Sequence, residues 1–126
     1  MRIEKPNIIL VGGGGHCVSV IDVIEQQGKY NIKGIIDIKE NIGKNVLGYK
    51  IIGSDNDLQD LFLSCPNAIV SVGQIKSSAL RIHLFQKLKT IGYHLPIVIS
   101  PLAYVSKYAL IGEGSIIMHQ VLVNAG

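Results

Sequence analysis

The sequence predicts an α/β protein, an open parallel sheet with helices on both faces, followed by the start of a hexapeptide-repeat β-helix. Three observations carry that expectation. An apolar run, Ile8 to Val11, passes through four consecutive glycines into a helical pattern. Apolar strand-length and helix-length segments then alternate as far as Ile99. From Ala103 onward the apolar period changes to six.

Taken in order, Asn7 to Gly12 reads as a strand buried on both faces, because Ile8, Ile9, Leu10 and Val11 leave it no polar side. From His16 to Gln27, Cys17, Val20, Ile21 and Ile24 recur at helical spacing, and Gly28 is placed to end the helix in a left-handed cap. Ile32 to Ile38 supplies the next parallel strand, with Asp37 near its carboxyl end, which completes a βαβ unit. Tyr49 to Ile52 follows as a small strand, and Asp55 to Phe62 as a short helix with Ser54 as its N-cap. Ala68 to Val72 is a third core strand closed by Gly73. Ser77 to Ile91 carries Leu80, Leu84, Leu88 and Ile91 on one helical stripe, stopped by Gly92. Leu95 to Ile99 is expected to close the sheet, and the alternation argues for helices on both of its faces.

Beyond it, Val105, Ile111, Ile117 and Val123 are spaced by six, each preceded two residues earlier by Ala103, Ala109, Ser115 or Val121. With Gly112 and Gly114 at turn positions, this is the pattern of a hexapeptide-repeat β-helix. The expected division is 1–100 for the sheet domain and 101–126 for the incomplete β-helix. A solenoid coil needs roughly three or more repeats to bury its inward face, and little more than one is present. The chain therefore reads as truncated at Gly126.

Composition narrows the function. A chain of 126 residues, 48% hydrophobic, has material for one core. The net charge of +3 comes from basic residues scattered from Arg2 to Lys107. Without a clustered basic face or an aromatic platform, nucleic acid is not an expected partner. Cys17 and Cys65 have no metal or disulfide spacing and read as reduced, buried thiols. No stretch reaches membrane-spanning length, the run Ile8–Val11 is too short for a signal peptide, and a cytoplasmic location is expected.

The glycine turn is the candidate site. Amides at a helix N-terminus, approached through a turn lacking Cβ atoms, make an anion seat, so Gly12, Gly14 and Gly15 favour a phosphate or pyrophosphate. Cys17 stands where a dinucleotide fingerprint has its third glycine, and the chain before the hexads provides one mononucleotide-binding half instead of two. One nucleotide is therefore expected. Asp37 can accept hydrogen bonds from a ribose or a base, or else is a solvated strand-end acid. Gly73 permits close approach of a ligand, or is a simple turn glycine. His16 can donate to a phosphate oxygen or face the sugar end of a ligand. His83 and His94 read as solvated or packed, and His119 as an exposed turn residue. No Ser-His-Asp or paired-carboxylate arrangement follows from spacing alone.

"VGGGGH" opening a helix, "GIID" ending the second strand, "SVG" before the helix with Arg81, and "ALIGEGSIIMHQVLVNAG" together resemble one family. It is that of the sugar O- and N-acetyltransferases related to sialic acid O-acetyltransferase and bacillosamine N-acetyltransferase. The resemblance implies a small Rossmann-like N-terminal domain followed by a left-handed β-helix. It further implies that Gly12, Gly14, Gly15 and His16 meet the diphosphate and sugar of a nucleotide-activated sugar, commonly UDP-linked, while Asp37, Val72 and Gly73 surround the nucleoside. Acetyl-CoA would bind between the β-helices of a homotrimer, and no metal is implied. The family's general base is a histidine in a later coil, so it falls beyond Gly126, and His119 does not occupy that position. A stand-alone nucleotide-binding or regulatory module, or a degraded oxidoreductase-like domain, are the alternatives from other classes.

Overall fold

The computed structural model describes residues 4–73 and 78–125. Strand β1 (Asn7–Val11) is followed by helix α1 (Gly15–Gln27) and strand β2 (Asn31–Ile36). A 3₁₀ turn at Lys39–Asn41 leads into the hairpin of β3 (Asn45–Val46) and β4 (Tyr49–Gly53). A second 3₁₀ turn, Asp55–Asp57, runs into α2 (Leu58–Leu61). Then come β5 (Ala68–Val70) and α3 (Ala79–Ile91). Short strands β6 (Val98–Ile99), β7 (Tyr104–Val105), β8 (Ile116–Ile117) and β9 (Leu122–Val123) complete the chain.

The main sheet has the order β3-β4-β2-β1-β5. Its four strands β4, β2, β1 and β5 are parallel, and β3 is an antiparallel edge. The unbroken apolar run of β1 is explained by the period of two in an extended strand. Ile8 and Leu10 pack with Val20, Ile21 and Ile24 of α1, whereas Ile9 and Val11 pack on the opposite face with Leu84, Leu88 and Tyr93. Each such side chain, fully buried, contributes ~1.5–3 kcal/mol from its removal from water.

Both long helices end as expected, α1 at left-handed Gly28 and α3 at left-handed Gly92. Ser54 and Asp57 form a capping box, with the Ser54 amide donating to Asp57 Oδ2 at 2.8 Å. The expected first residue of α3, Ser77, lies outside the described residues. The Leu80 to Ile91 stripe is only partly a core stripe: Leu84 and Leu88 are buried, but Leu80 is 57% exposed. Leu80 lies in the first turn of α3, at the mouth of a cleft instead of over the sheet.

The expected closing strand at Leu95–Ile99 is not a member of the main sheet. Only Val98 and Ile99 are extended, and they pair with Ile116 and Ile117. Leu95 fills the core from outside the ladder, its side chain among Tyr93, Leu88 and Val70. The pairing partners arise from the six-residue period. Val98 pairs with Ile116 and Val105 with Val123, so the chain returns parallel to itself after eighteen residues, or three hexads. Val105, Ile111, Ile117 and Val123 are half-buried, whereas Tyr104, Leu110 and Leu122 between them face solvent.

Candidate nucleotide site

The site is assembled at the carboxyl ends of β1, β2 and β5. Gly12 holds φ +128°, and its amide donates to Ile36 O at 2.7 Å, so the chain turns sharply off the sheet toward α1. A Cβ there would stand 2.5 Å from Val72 Cγ1 and 2.9 Å from the Val72 nitrogen. Only glycine combines that φ with that approach. Ser71 secures the other side by donating its hydroxyl to Gly12 O at 2.7 Å.

Beyond this corner the chain opens to solvent. A Cβ at Gly14 or Gly15 would meet nothing within 4 Å, and Gly14 caps α1 with no side-chain hydrogen bond. The amides of Gly13, Gly14, Gly15 and His16 have no partner among the described residues. Unpaired amides and the positive end of the helix dipole thus face one open space. That is the electrostatic requirement for holding an anion.

Asp37 lies directly beside the turn. Its carboxylate would be 3.0 Å from a Cβ at Gly13, so a side chain at this second residue of the turn would push Asp37 away from it. Asn41 Nδ2 donates to Asp37 Oδ2 at 2.7 Å, and Lys44 Nζ donates to Asn41 Oδ1 at 2.9 Å. One carboxylate oxygen is occupied and oriented, which leaves Oδ1 to accept from a ligand. Sequence reasoning missed both Gly13 and Asn41. The single available signal was the i, i+4 spacing of Asn41 from Asp37, which across a strand-to-turn junction means nothing until the chain path is known.

Between Asp37 and α3 runs an apolar slot of about 170 Å³, lined by Val11, Ile36, Ile38, Val72, Leu80 and Leu84, with Asp37 and Asp55 as its charged members. A cavity of about 150 Å³ accepts one benzene-sized ring. The slot is therefore of a size for one flat ring. Ile38 and Leu80, 60% and 57% exposed, form its two lips. Asp55 is tied to Lys87 at 3.2 Å.

The structure brings Gly12, Gly14, Gly15, His16, Asp37, Val72 and Gly73 to this one edge. His16 and Gly73 are stacked: a Cβ at Gly73 would lie 3.4 Å from His16 Cβ. Cys17, in the first turn of α1, is fully buried. Burial raises its thiol pKa, the Ser71 hydroxyl opposes that, and the Asp37 charge adds to it, so Cys17 stays neutral. His94 is not simply solvated, since its Nδ1 pairs with Asn67 Oδ1 at 2.9 Å. His119 is not a free loop residue either; it bridges Asp22 and Ser100. Among the described residues no group of three potential ligands could hold a metal ion, and no helix is long and apolar enough to cross a membrane.

A parallel-rich sheet, a glycine corner that opens a helix, and a carboxylate at the end of the second strand define a mixed α/β domain of the glycine-turn class. The chain belongs to the PglD N-terminal domain family, whose family model matches residues 7–88, about two thirds of its length. No curated protein sequence matches it. Among solved structures it is similar to a mutant of perosamine N-acetyltransferase from Caulobacter crescentus in complex with CoA and GDP-perosamine. The identity is 29% and the TM-score 0.86, over 99% of this chain and 57% of that one. It is also similar to the acetyltransferase domain of PglB from Neisseria gonorrhoeae in complex with acetyl coenzyme A, at 28% identity and TM-score 0.83, over 98% of this chain and 58% of that one. UDP-D-quinovosamine 4-dehydrogenase from Vibrio fischeri, at 13% identity and TM-score 0.56 over 72% of this chain and 75% of that one, shares the fold alone. The chain thus spans less than two thirds of the length of the acetyltransferases it resembles.

Proposed function

We propose that this chain is the nucleotide-sugar-binding part of an acetyl-CoA-dependent sugar acetyltransferase of surface glycan biosynthesis. The observation that carries the reading is the set of four amides, from Gly13 to His16, that have no partner among the described residues, set beside an oriented Asp37 and an apolar slot. In it, Gly12, whose own amide is tied to Ile36 O, makes the turn, the amides from Gly13 through Gly14 and Gly15 hold the diphosphate, and His16 lies beside them toward the sugar. Asp37 accepts hydrogen bonds from the nucleoside, whose base enters the slot next to Val72 and Gly73. Each charge-assisted hydrogen bond of this kind contributes ~1.5–3 kcal/mol.

The division at residue 100 belongs to the same reading, with 1–100 holding the nucleotide sugar and 101–126 opening a left-handed β-helix. The eighteen-residue parallel offset supports a coil of three hexads. Acetyl transfer is assigned to further coils of a longer homotrimeric, cytoplasmic protein, which supply the acetyl-CoA groove and the general base. Within this chain no histidine is placed for that work. His119 has both ring nitrogens engaged, and His16, packed on Gly73 beside the anion seat, serves better as a donor.

Titration calorimetry of the chain with UDP-, GDP- and CMP-sugars and with NAD tests the proposal. Binding of a sugar nucleotide, weakened on Asp37→Asn or Gly15→Ala, is the expected result. Tighter binding of NAD than of every sugar nucleotide would overturn it. Assayed with acetyl-CoA and amino-sugar nucleotides, the 126-residue chain should release no CoA above background.

A further inference from the structure

His119 lies in the turn between β8 and β9 and is gripped from two sides. Its Nδ1 meets Ser100 Oγ, and its Nε2 lies 2.7 Å from Asp22 Oδ2 on α1, ninety-seven residues away in sequence. Ser100 Oγ also accepts the Leu102 amide at 3.0 Å. While accepting this amide, Ser100 Oγ still has its own hydrogen to donate to Nδ1, and in that tautomer the ring donates from Nε2 to the carboxylate. Serine, histidine and aspartate in contact invite comparison with a hydrolytic triad, but here the two ring nitrogens are exchanged. Ser100 is also only 1% exposed, so no substrate reaches it.

The three residues do mechanical work. Val98, Ile116 and Met118 pack on the cluster that includes Val20, Ile21 and Ile24 of α1. Apolar contact is non-directional and tolerates sliding. Hydrogen bonds with fixed donors and acceptors do not. We propose that Asp22, His119 and Ser100 form a polar clasp that sets how the coil sits on α1, with His119 as the positioning residue between the two units. Because the candidate anion seat lies at the N-terminus of the same helix, the clasp fixes the separation between that seat and whatever the coils carry. That consequence rests on the function proposed above, whereas the clasp itself does not.

Spin labels at Lys39→Cys and Leu110→Cys, both exposed sites, report the separation, since Cys17 and Cys65 are buried. Pulsed electron resonance is expected to show one narrow distance in the parent and a broadened distribution in His119→Ala and in Asp22→Ala. Asp22→Asn keeps an acceptor for the Nε2 proton and is expected to restore the narrow distance. Amides of β6 to β9 should exchange ~10- to 100-fold faster in the two alanine variants, the equivalent of losing one hydrogen bond to a charged group, while those of β1, β2 and β5 stay as in the parent. Parent-like distances and exchange in both alanine variants would overturn the clasp. If His119→Ala loses protection throughout the sheet, Asp22→Ala, on the exposed face of α1, decides: local loosening supports the clasp and parent-like behaviour rejects it. Failure of the parent to bind any sugar nucleotide would count against the functional reading and leave these arms unaffected.

Discussion

Gly12 and Gly15 sit three residues apart in one glycine run, yet the structure assigns them opposite roles, and alanine substitution separates these. At Gly12 the new Cβ meets Val72 at 2.5 Å and the backbone must hold φ +128°. A strained φ costs ~1–3 kcal/mol and an overpacked contact ~1–3 kcal/mol, so Gly12→Ala should lose about 4 kcal/mol. Against a stability of ~5–15 kcal/mol for such a domain this is severe. With a urea m-value of ~2 kcal/mol/M the unfolding midpoint falls by about 2 M. At Gly15, the first residue of α1, the Cβ meets nothing, and alanine is the better helix former by up to ~1 kcal/mol. Gly15→Ala should therefore keep or raise the urea midpoint. Its methyl group intrudes on the open anion seat, and losing one charge-assisted hydrogen bond there weakens sugar-nucleotide binding by ~1.5–3 kcal/mol, or about 10- to 150-fold. The assays are urea denaturation followed by circular dichroism, and calorimetric titration of each variant. An unchanged midpoint for Gly12→Ala would refute the steric argument, and unchanged affinity for Gly15→Ala would refute the phosphate seat.

Asn41→Ala should weaken sugar-nucleotide binding by ~1 kcal/mol, less than Asp37→Asn at ~1.5–3 kcal/mol, because it frees the carboxylate to rotate without removing it; equal affinities for Asn41→Ala and the parent in calorimetry would show that Asp37 needs no orienting partner. Tyr93, 2% exposed, donates its hydroxyl to Leu58 O at 2.6 Å, and burial, with a smaller effect from Cys65, pushes its pKa up to about 12. Its raised folded-state value means that its contribution is intact below about pH 10 and is lost as the pH rises through about 12. The parent should then lose ~3 kcal/mol more than Tyr93→Phe across that window in urea titrations, and parallel pH profiles would contradict the assignment. Cys17 and Cys65, both fully buried with thiol pKa values raised mainly by burial, should react with a thiol reagent only at the rate of unfolding; fast labelling in the native state would show that the first turn of α1 opens locally.

Much of the architecture was legible because its determinants are local. The run Ile8 to Val11 has no polar face, and a strand of that kind has to lie between two helix layers. Gly28 and Gly92 follow helical stripes and end them in the left-handed conformation that other residues avoid. The period of six from Ala103 picks out the half-buried Val105, Ile111, Ile117 and Val123, since a repeating inward residue is a property of chain geometry and needs no distant partner. Leu95–Ile99 was misassigned for the complementary reason. Five apolar residues announce burial but not the neighbour that provides it, and Leu95 is as buried beside Tyr93 as it would be inside a ladder.

The order of strand, glycine turn and helix, the place of Asp37 at a strand end, and the change of period after residue 100 are all legible in local residue patterns. These follow from steric limits on φ and from side-chain periodicity, both of which act over a few residues. Packing in three dimensions, by contrast, sets Asp37 close against Gly13, lets Asn41 aim Asp37, and takes Leu80 out of the core to form the lip of a slot. It alone decided that His119 reaches Asp22 across ninety-seven residues. Such contacts depend on how separate elements are packed, and the energy of any one of them is too small and too short-ranged to mark the sequence. They exist because the buried faces of β1, α1 and the C-terminal segment hold the backbone in place, and the polar groups meet where that packing leaves them.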